Sequence, residues 1–230
     1  MTREERICDI IAKEWEMFHS VNGDDRADCQ DDYEGFVSMR AAQYSFWDDA
    51  TLESYHGDVT RAAESGRNLA REKYIRMMRH ADPEGYARFA PELPAVEPEA
   101  AELVEEIWTH MLEQTRRFRD RYPGLGVMGR PLLSDADDEV VTSVQTYETG
   151  ELMTYSPETL RRYRDHLLAL EARGVDLVHQ IQEQSILCLG YPSLEAAERA
   201  AYDQVFKSLG MTTGCVGDSC SAVNEFLAEM

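Results

Sequence analysis

The chain has no continuous apolar run near the length of a membrane-crossing helix, and its first residues, MTREERICDIIAKEW, interrupt their apolar positions with charges. A membrane span and an export leader are both outside this pattern, and the expected compartment is the cytoplasm. Cysteine is scarce: five, an odd number scattered over 230 residues, do not make a disulfide framework and suit a reducing compartment. Basic residues are outnumbered, 23 against 44 acidic ones, for a formal charge of −21. Such a chain is repelled by nucleic acid and anionic membrane at long range, so neither is an expected partner. Strand-like alternation is absent. So is a phosphate-cradling loop: PGLGVMGRP places glycines at 124, 126 and 129 but lacks a preceding strand and a lysine-serine ending. No serine-hydrolase elbow occurs either.

What is present is helical periodicity. A first helix over about 2–19 puts Ile7, Ile10, Ile11, Trp15 and Phe18 on one face. A polar loop follows, and the acidic pair Asp31 and Asp32 suits the positive end of a second helix. A third segment, about 50–80, carries Leu52, Tyr55, Val59, Leu69 and Met77, with Gly66 as a point of division. Pro83, Pro91, Pro94 and Pro98 mark a connector over 82–98. An amphipathic helix then turns Val104, Ile107, Trp108, Met111 and Phe118 inward. The stretch PGLGVMGRPLLSDADDE reads as a long irregular loop, a place where function often sits. Helices near 139–153 and 157–189 follow, the latter begun by Ser156 and Pro157 and bent at Gly174. Ser193 starts another, and DSCSAVNEFLAEM closes the chain. The expected fold is all-α: a single-domain multi-helix bundle over 1–230, with an N-terminal helical core over 1–80, the connector over 82–98 and C-terminal helices over 99–230.

Three charged groups fall on apolar faces. Arg40 and Gln43 share the stripe of Tyr33, Phe36, Val37, Tyr44 and Trp47; Glu14 lies among Ile10, Ile11, Trp15 and Phe18; Lys73 lies among Leu69, Ala70, Tyr74 and Met77. A buried charge must be paired and hydrogen-bonded, so these groups are expected to converge, with Arg40 reaching Glu14 or Asp32. One carboxylate against two cations leaves a surplus, to be neutralised by Asp31, Asp32 or Glu72, or by an anionic ligand. Two readings stay open. In one, Glu14 and Arg40 form a structural ion pair while Lys73 snorkels to water. In the other, Arg40 and Lys73 clamp a small polar or anionic ligand, with Glu14 orienting it.

Other constellations are weaker. Glu16 and His19, Glu53 and His56, and Asp176, His179 and Glu183 have the carboxylate-imidazole spacing of helical di-metal proteins, but a chain this acidic produces such pairs by chance, and no metal site is assigned. Cys29 sits where a helix start lowers a thiol pKa while Asp28, Asp31 and Asp32 oppose it. Cys215 and Cys220 lack the spacing of a zinc or redox motif.

The words EWEMF (14–18), CQDDYEGFVSMRAAQ (29–43), SYHGD (54–58) and GRNLAREKYIRMM (66–78) together resemble the bacterial family of unknown function numbered 4125, and YETGELMTYS (147–156) is similar to a later motif of it. Glu14, Cys29, Gln30, Arg40, Gln43, Arg67, Asn68 and Lys73 match the family pattern, whereas His19 and His56 look particular to this chain. The resemblance implies a shared fold and supplies no activity or cofactor. The expected function is a cytoplasmic helical protein holding a small polar or anionic ligand against Glu14, Arg40, Gln43 and Lys73, joined by Tyr147, Glu148 and Glu151. The alternatives are a non-catalytic protein-interaction module and, more weakly, a helical di-metal enzyme.

Overall fold

The computed structural model describes residues 1–21 and 30–208. Cys29, Cys215, Cys220 and the closing DSCSAVNEFLAEM lie outside the described residues. Within them the chain is all-α: α1 (Arg3–His19), α2 (Tyr33–Ser45), α3 (Asp49–Ser65), α4 (Leu69–Ala81), α5 (Pro83–Phe89), α6 (Pro98–Arg121), α7 (Pro123–Met128), α8 (Val144–Leu152), α9 (Pro157–Glu171), α10 (Leu177–Cys188) and α11 (Leu194–Ser208), with no strand among the described residues. None of these helices is long and apolar enough to cross a membrane.

Local chemistry sets the helix starts. Thr2 and Glu5 form a reciprocal capping box on α1, and Asp32, Asp48, Asn68, Asp82, Ser143, Ser156 and Asp176 each accept a hydrogen bond from a first-turn amide of the helix they precede. The 50–80 segment is two helices, because Gly66 adopts φ 72, a left-handed conformation that ends α3. The 157–189 segment is likewise two, α9 and α10, separated at Gly174 with φ 71. The expected helix near 139–153 begins only at Val144, and the PGLGVM part of the expected loop is helical as α7.

The main core joins both ends of the described chain. Ile10, Tyr44, Leu52, Tyr55 and Val59 pack in one cluster with Val104, Ile107, Leu152, Leu160, Leu167 and Leu177. A smaller cluster of Phe118, Tyr122, Ile186, Leu194 and Ala197 sits where α7 and α11 meet the ends of α6 and α10. Helix α8 lies against α4 and α6, and α9 against α3 and α6. The loop before α8 is tied down: Arg130 donates to the Thr142 carbonyl at 2.9 Å, the Val144 amide to the Pro131 carbonyl at 2.8 Å, and the Ser134 amide to Gln145 Oε1 at 2.9 Å. That staple fixes where α8 presents its side chains.

Candidate functional site

The charged groups of α1, α2 and α4 meet a carboxylate from α8. Glu151 is buried and accepts two hydrogen bonds from the Arg40 guanidinium, at 2.7 and 3.2 Å, and one from Lys73 Nζ at 2.6 Å. The Tyr155 hydroxyl, one turn on, adds a bond of 3.1 Å. Glu14, also buried, accepts from the Tyr44 hydroxyl at 2.7 and 2.8 Å and from the Tyr55 hydroxyl at 2.6 Å, and Arg40 Nε stands 3.5 Å from it. Two carboxylates therefore face two cations. The surplus charge expected from the first three helices is neutralised by Glu151, not by Asp31, Asp32 or Glu72: Asp32 caps α2 and Glu72 holds Arg67 in a two-point pair at 2.8 and 2.9 Å. Lys73 does not snorkel to water. Its side chain is 6% exposed, with Nζ 3.2 Å from the centroid of the Tyr147 ring, which also faces Arg130.

Electrostatics follows from this pairing. Burial alone would raise Glu151, but Arg40 and Lys73 overcome it and hold the carboxyl well below the usual carboxylate range. For Glu14 burial wins over Arg40 and the pKa is raised. Burial opposes the charged forms of Arg40 and Lys73, yet the facing carboxylates raise both. The four groups are a closed ionic set, with their hydrogen bonds made inside the protein.

The rim is different. Gln43 and Glu148 are each partly exposed. Gln43 Oε1 accepts from Arg40 at 2.9 Å, and its amide nitrogen has no acceptor among the described residues. Glu148 makes neither a hydrogen bond nor an ion pair among the described residues, although it stands beside the ionic set. Burial, followed by the negative charge of Glu151, pushes its carboxyl up from 4.5 to about 7, against the pull of Lys73 and Arg40. The floor of the candidate site is thus Glu14, Lys73 and Glu151, and the rim Arg40, Gln43, Tyr147 and Glu148. The space between Arg40 and Lys73, where a ligand was expected to be clamped, holds the Glu151 carboxylate. Two surface cavities, of about 210 and 330 Å³, open elsewhere, and none of these seven residues lines either.

A sequence profile for the family described as "Protein of unknown function (DUF4125)" matches residues 4–199. The chain belongs to this family. The DUF4125 match takes in all seven residues of the candidate site and reaches into α11, well beyond the motifs that suggested it. No curated protein and no solved structure matches the chain.

Several residues of the DUF4125 wording have architectural work. Gln30 is buried, and its amide donates to the Phe18 and Val21 carbonyls at 3.1 and 2.9 Å, closing the end of α1. Asn68 caps α4 and donates to the Met17 carbonyl at 2.8 Å. The carboxylate-imidazole pairs serve apart from one another: His56 bonds Asp9 at 2.6 Å, His19 bonds the Gln30 carbonyl at 2.9 Å, and Asp176 caps α10 through the His179 amide. Among the described residues no three His, Cys, Asp or Glu side chains gather as metal ligands would. Sequence reasoning missed Tyr44, Tyr55 and Tyr155 as the donors that hold the two carboxylates. A signal existed in the i, i+4 spacing of Glu151 and Tyr155, and in the unpaired surplus of positive charge.

Proposed function

We propose that this protein binds a small polar molecule at the solvent side of the Arg40–Glu151–Lys73 cluster, with Glu148 as the acceptor or proton-holding group and the Gln43 amide as a donor. The observation that carries this reading is Glu148: a partly buried carboxyl with no partner among the described residues, next to an ionic set already complete. An ionised group so placed is destabilising, and binding and proton-transfer sites are built from such groups. The ligand class is narrowed by the same geometry. Arg40 and Lys73 are committed to Glu151, so the group presented at the rim is a carboxyl, which favours a hydrogen-bond donor or a cationic nitrogen in the ligand. No reaction is assigned. The acidic surface disfavours nucleic acid and anionic membrane as partners, and the exposed free thiols of Cys8 and Cys188 suit a reducing cytoplasm.

A second reading, a non-catalytic interaction module, draws on the closure of the four charges of the ionic set, which by itself needs no ligand. A thermal-shift screen of small polar molecules on the full chain separates the two. Compounds that raise the melting temperature of the parent should lose at least tenfold in affinity in Glu148→Gln while that variant remains folded. Equal binding by the parent and Glu148→Gln would remove the rim site, and failure of every compound to bind would leave the interaction module as the better account.

A further inference from the structure

A chain of charge −21 has gathered three arginines around one cavity. The 210 Å³ cavity is open on one side and lies between α3, α4, the connector and the start of α9, with Arg61, Arg67, Arg76, Asp58, Met153 and Tyr155 in its lining. Its volume is several times the roughly 30 Å³ that a water occupies in the liquid, so it holds a group larger than a single water. Two of the arginines are balanced. Arg61 pairs with Asp58, whose other oxygen accepts from the Ser156 amide at 2.9 Å and the Thr159 hydroxyl at 2.6 Å, and Arg67 pairs with Glu72. Arg76 is not balanced. Its single hydrogen bond runs to the Pro94 carbonyl at 3.2 Å, it forms no ion pair among the described residues, and its Nε is buried without an acceptor. Glu97, the remaining acid of the lining, is exposed and forms no ion pair among the described residues. The adjoining 330 Å³ cavity offers a contrast, since its cations Arg67 and Arg71 are matched by Glu72 and Glu92.

We propose that this cavity is an oxyanion site, in which Arg76 supplies the unmatched charge and the N–H donors at the end of its guanidinium, with Arg67 and Arg61 as flanking donors, for the phosphate or carboxylate group of a small molecule. A guanidinium suits such a group because its N–H donors form a fixed fork that matches two oxygens at once. An oxyanion at this place gives the Arg76 guanidinium the counter-charge that no carboxylate of the lining supplies as an ion pair. The site is separate from the Glu148 rim, and neither proposal depends on the other.

The test is calorimetric titration of the full chain with inorganic phosphate and, as a second arm, succinate, at constant ionic strength. Saturable binding of at least one of the two is expected in the parent, with affinity reduced at least tenfold in Arg76→Gln and unchanged in Arg116→Gln, an exposed arginine toward the far end of α6 from Ala100 of the cavity lining. If phosphate binds and succinate does not, the ligand is a phosphate ester, and the reverse outcome makes it a carboxylate. Should Arg76→Gln fail to fold, Arg76→Lys keeps the charge but loses the planar fork of N–H donors, and should still weaken binding several-fold. Absence of saturable binding of both anions, or equal binding by the parent and the Arg76 variant, overturns the proposal.

Discussion

Glu151 decides the electrostatics of the interior, because Arg40 and Lys73 both end on its carboxylate. Either cation alone in the core would be intolerable, and the sequence makes the need for a partner visible: Arg40, Lys73 and Glu14 stand at helix positions where an apolar side chain is expected. The identity of that partner was not legible, since Glu151 is 111 residues from Arg40 in sequence and its helix gives almost no amphipathic signal to orient it. The consequence for stability is directional. Glu151→Gln leaves Arg40 and Lys73 facing the single carboxylate of Glu14 and should cost about 3–5 kcal/mol in chemical denaturation, whereas Lys73→Met and Glu151→Leu combined, which leave Arg40 paired with Glu14, should cost less than that single change. A double variant less stable than Glu151→Gln would contradict the account.

At the scale of elements, the site depends on how closely α8 approaches α4. Gly150 allows it: a Cβ there would lie 3.3 Å from Met77 Cγ and 3.5 Å from the Lys73 carbonyl oxygen. Gly150→Ala therefore presses on the Met77 side chain, and an overpacking cost of about 1–3 kcal/mol, less the roughly 0.5–1 kcal/mol that alanine gains over glycine inside a helix, should leave the protein less stable by about 1 kcal/mol, with the melting temperature as readout. A melting temperature equal to the parent's would show that the two helices have slack. Helix existence was legible throughout, because caps and apolar period agree: Ser156 with Pro157, and the Asp31–Asp32 region before α2, start helices where expected. Boundaries were less so. The left-handed turns at Gly66 and Gly174 end helices that the apolar pattern alone would carry onward, and α7 hides in a glycine-rich stretch that looks like a loop. Tyr33 shows the limit of stripe reading: it belongs to the periodic face of α2 yet is 50% exposed, lying at the helix start with one ring contact to Trp15.

For the molecule as a whole, the core that joins α1–α4 to α6 and α8–α10 makes the ionic cluster a part of global stability, so the protonation of the rim is felt in the unfolding free energy. The two carboxyls of α8 act in opposite senses. Glu151, held below its ordinary range, contributes stability that is present above about pH 4.5 and is lost in acid. Glu148 binds its proton more tightly in the folded state, up to about 7 against 4.5, so the folded state carries more protons than the unfolded chain in that window and stability falls as pH rises through it. After allowance for its partial exposure, the ionised Glu148 should cost about 1–3 kcal/mol at pH 8. The measurement that bears most directly on the rim site is the unfolding free energy of the parent and Glu148→Gln between pH 4 and about 8, read as the difference between the two curves. The difference should be small near pH 4, grow in favour of Glu148→Gln through the window up to about 7, and level off above it, whereas curves that keep a constant separation at all pH values would show that Glu148 is an ordinary surface carboxyl and would contradict the account.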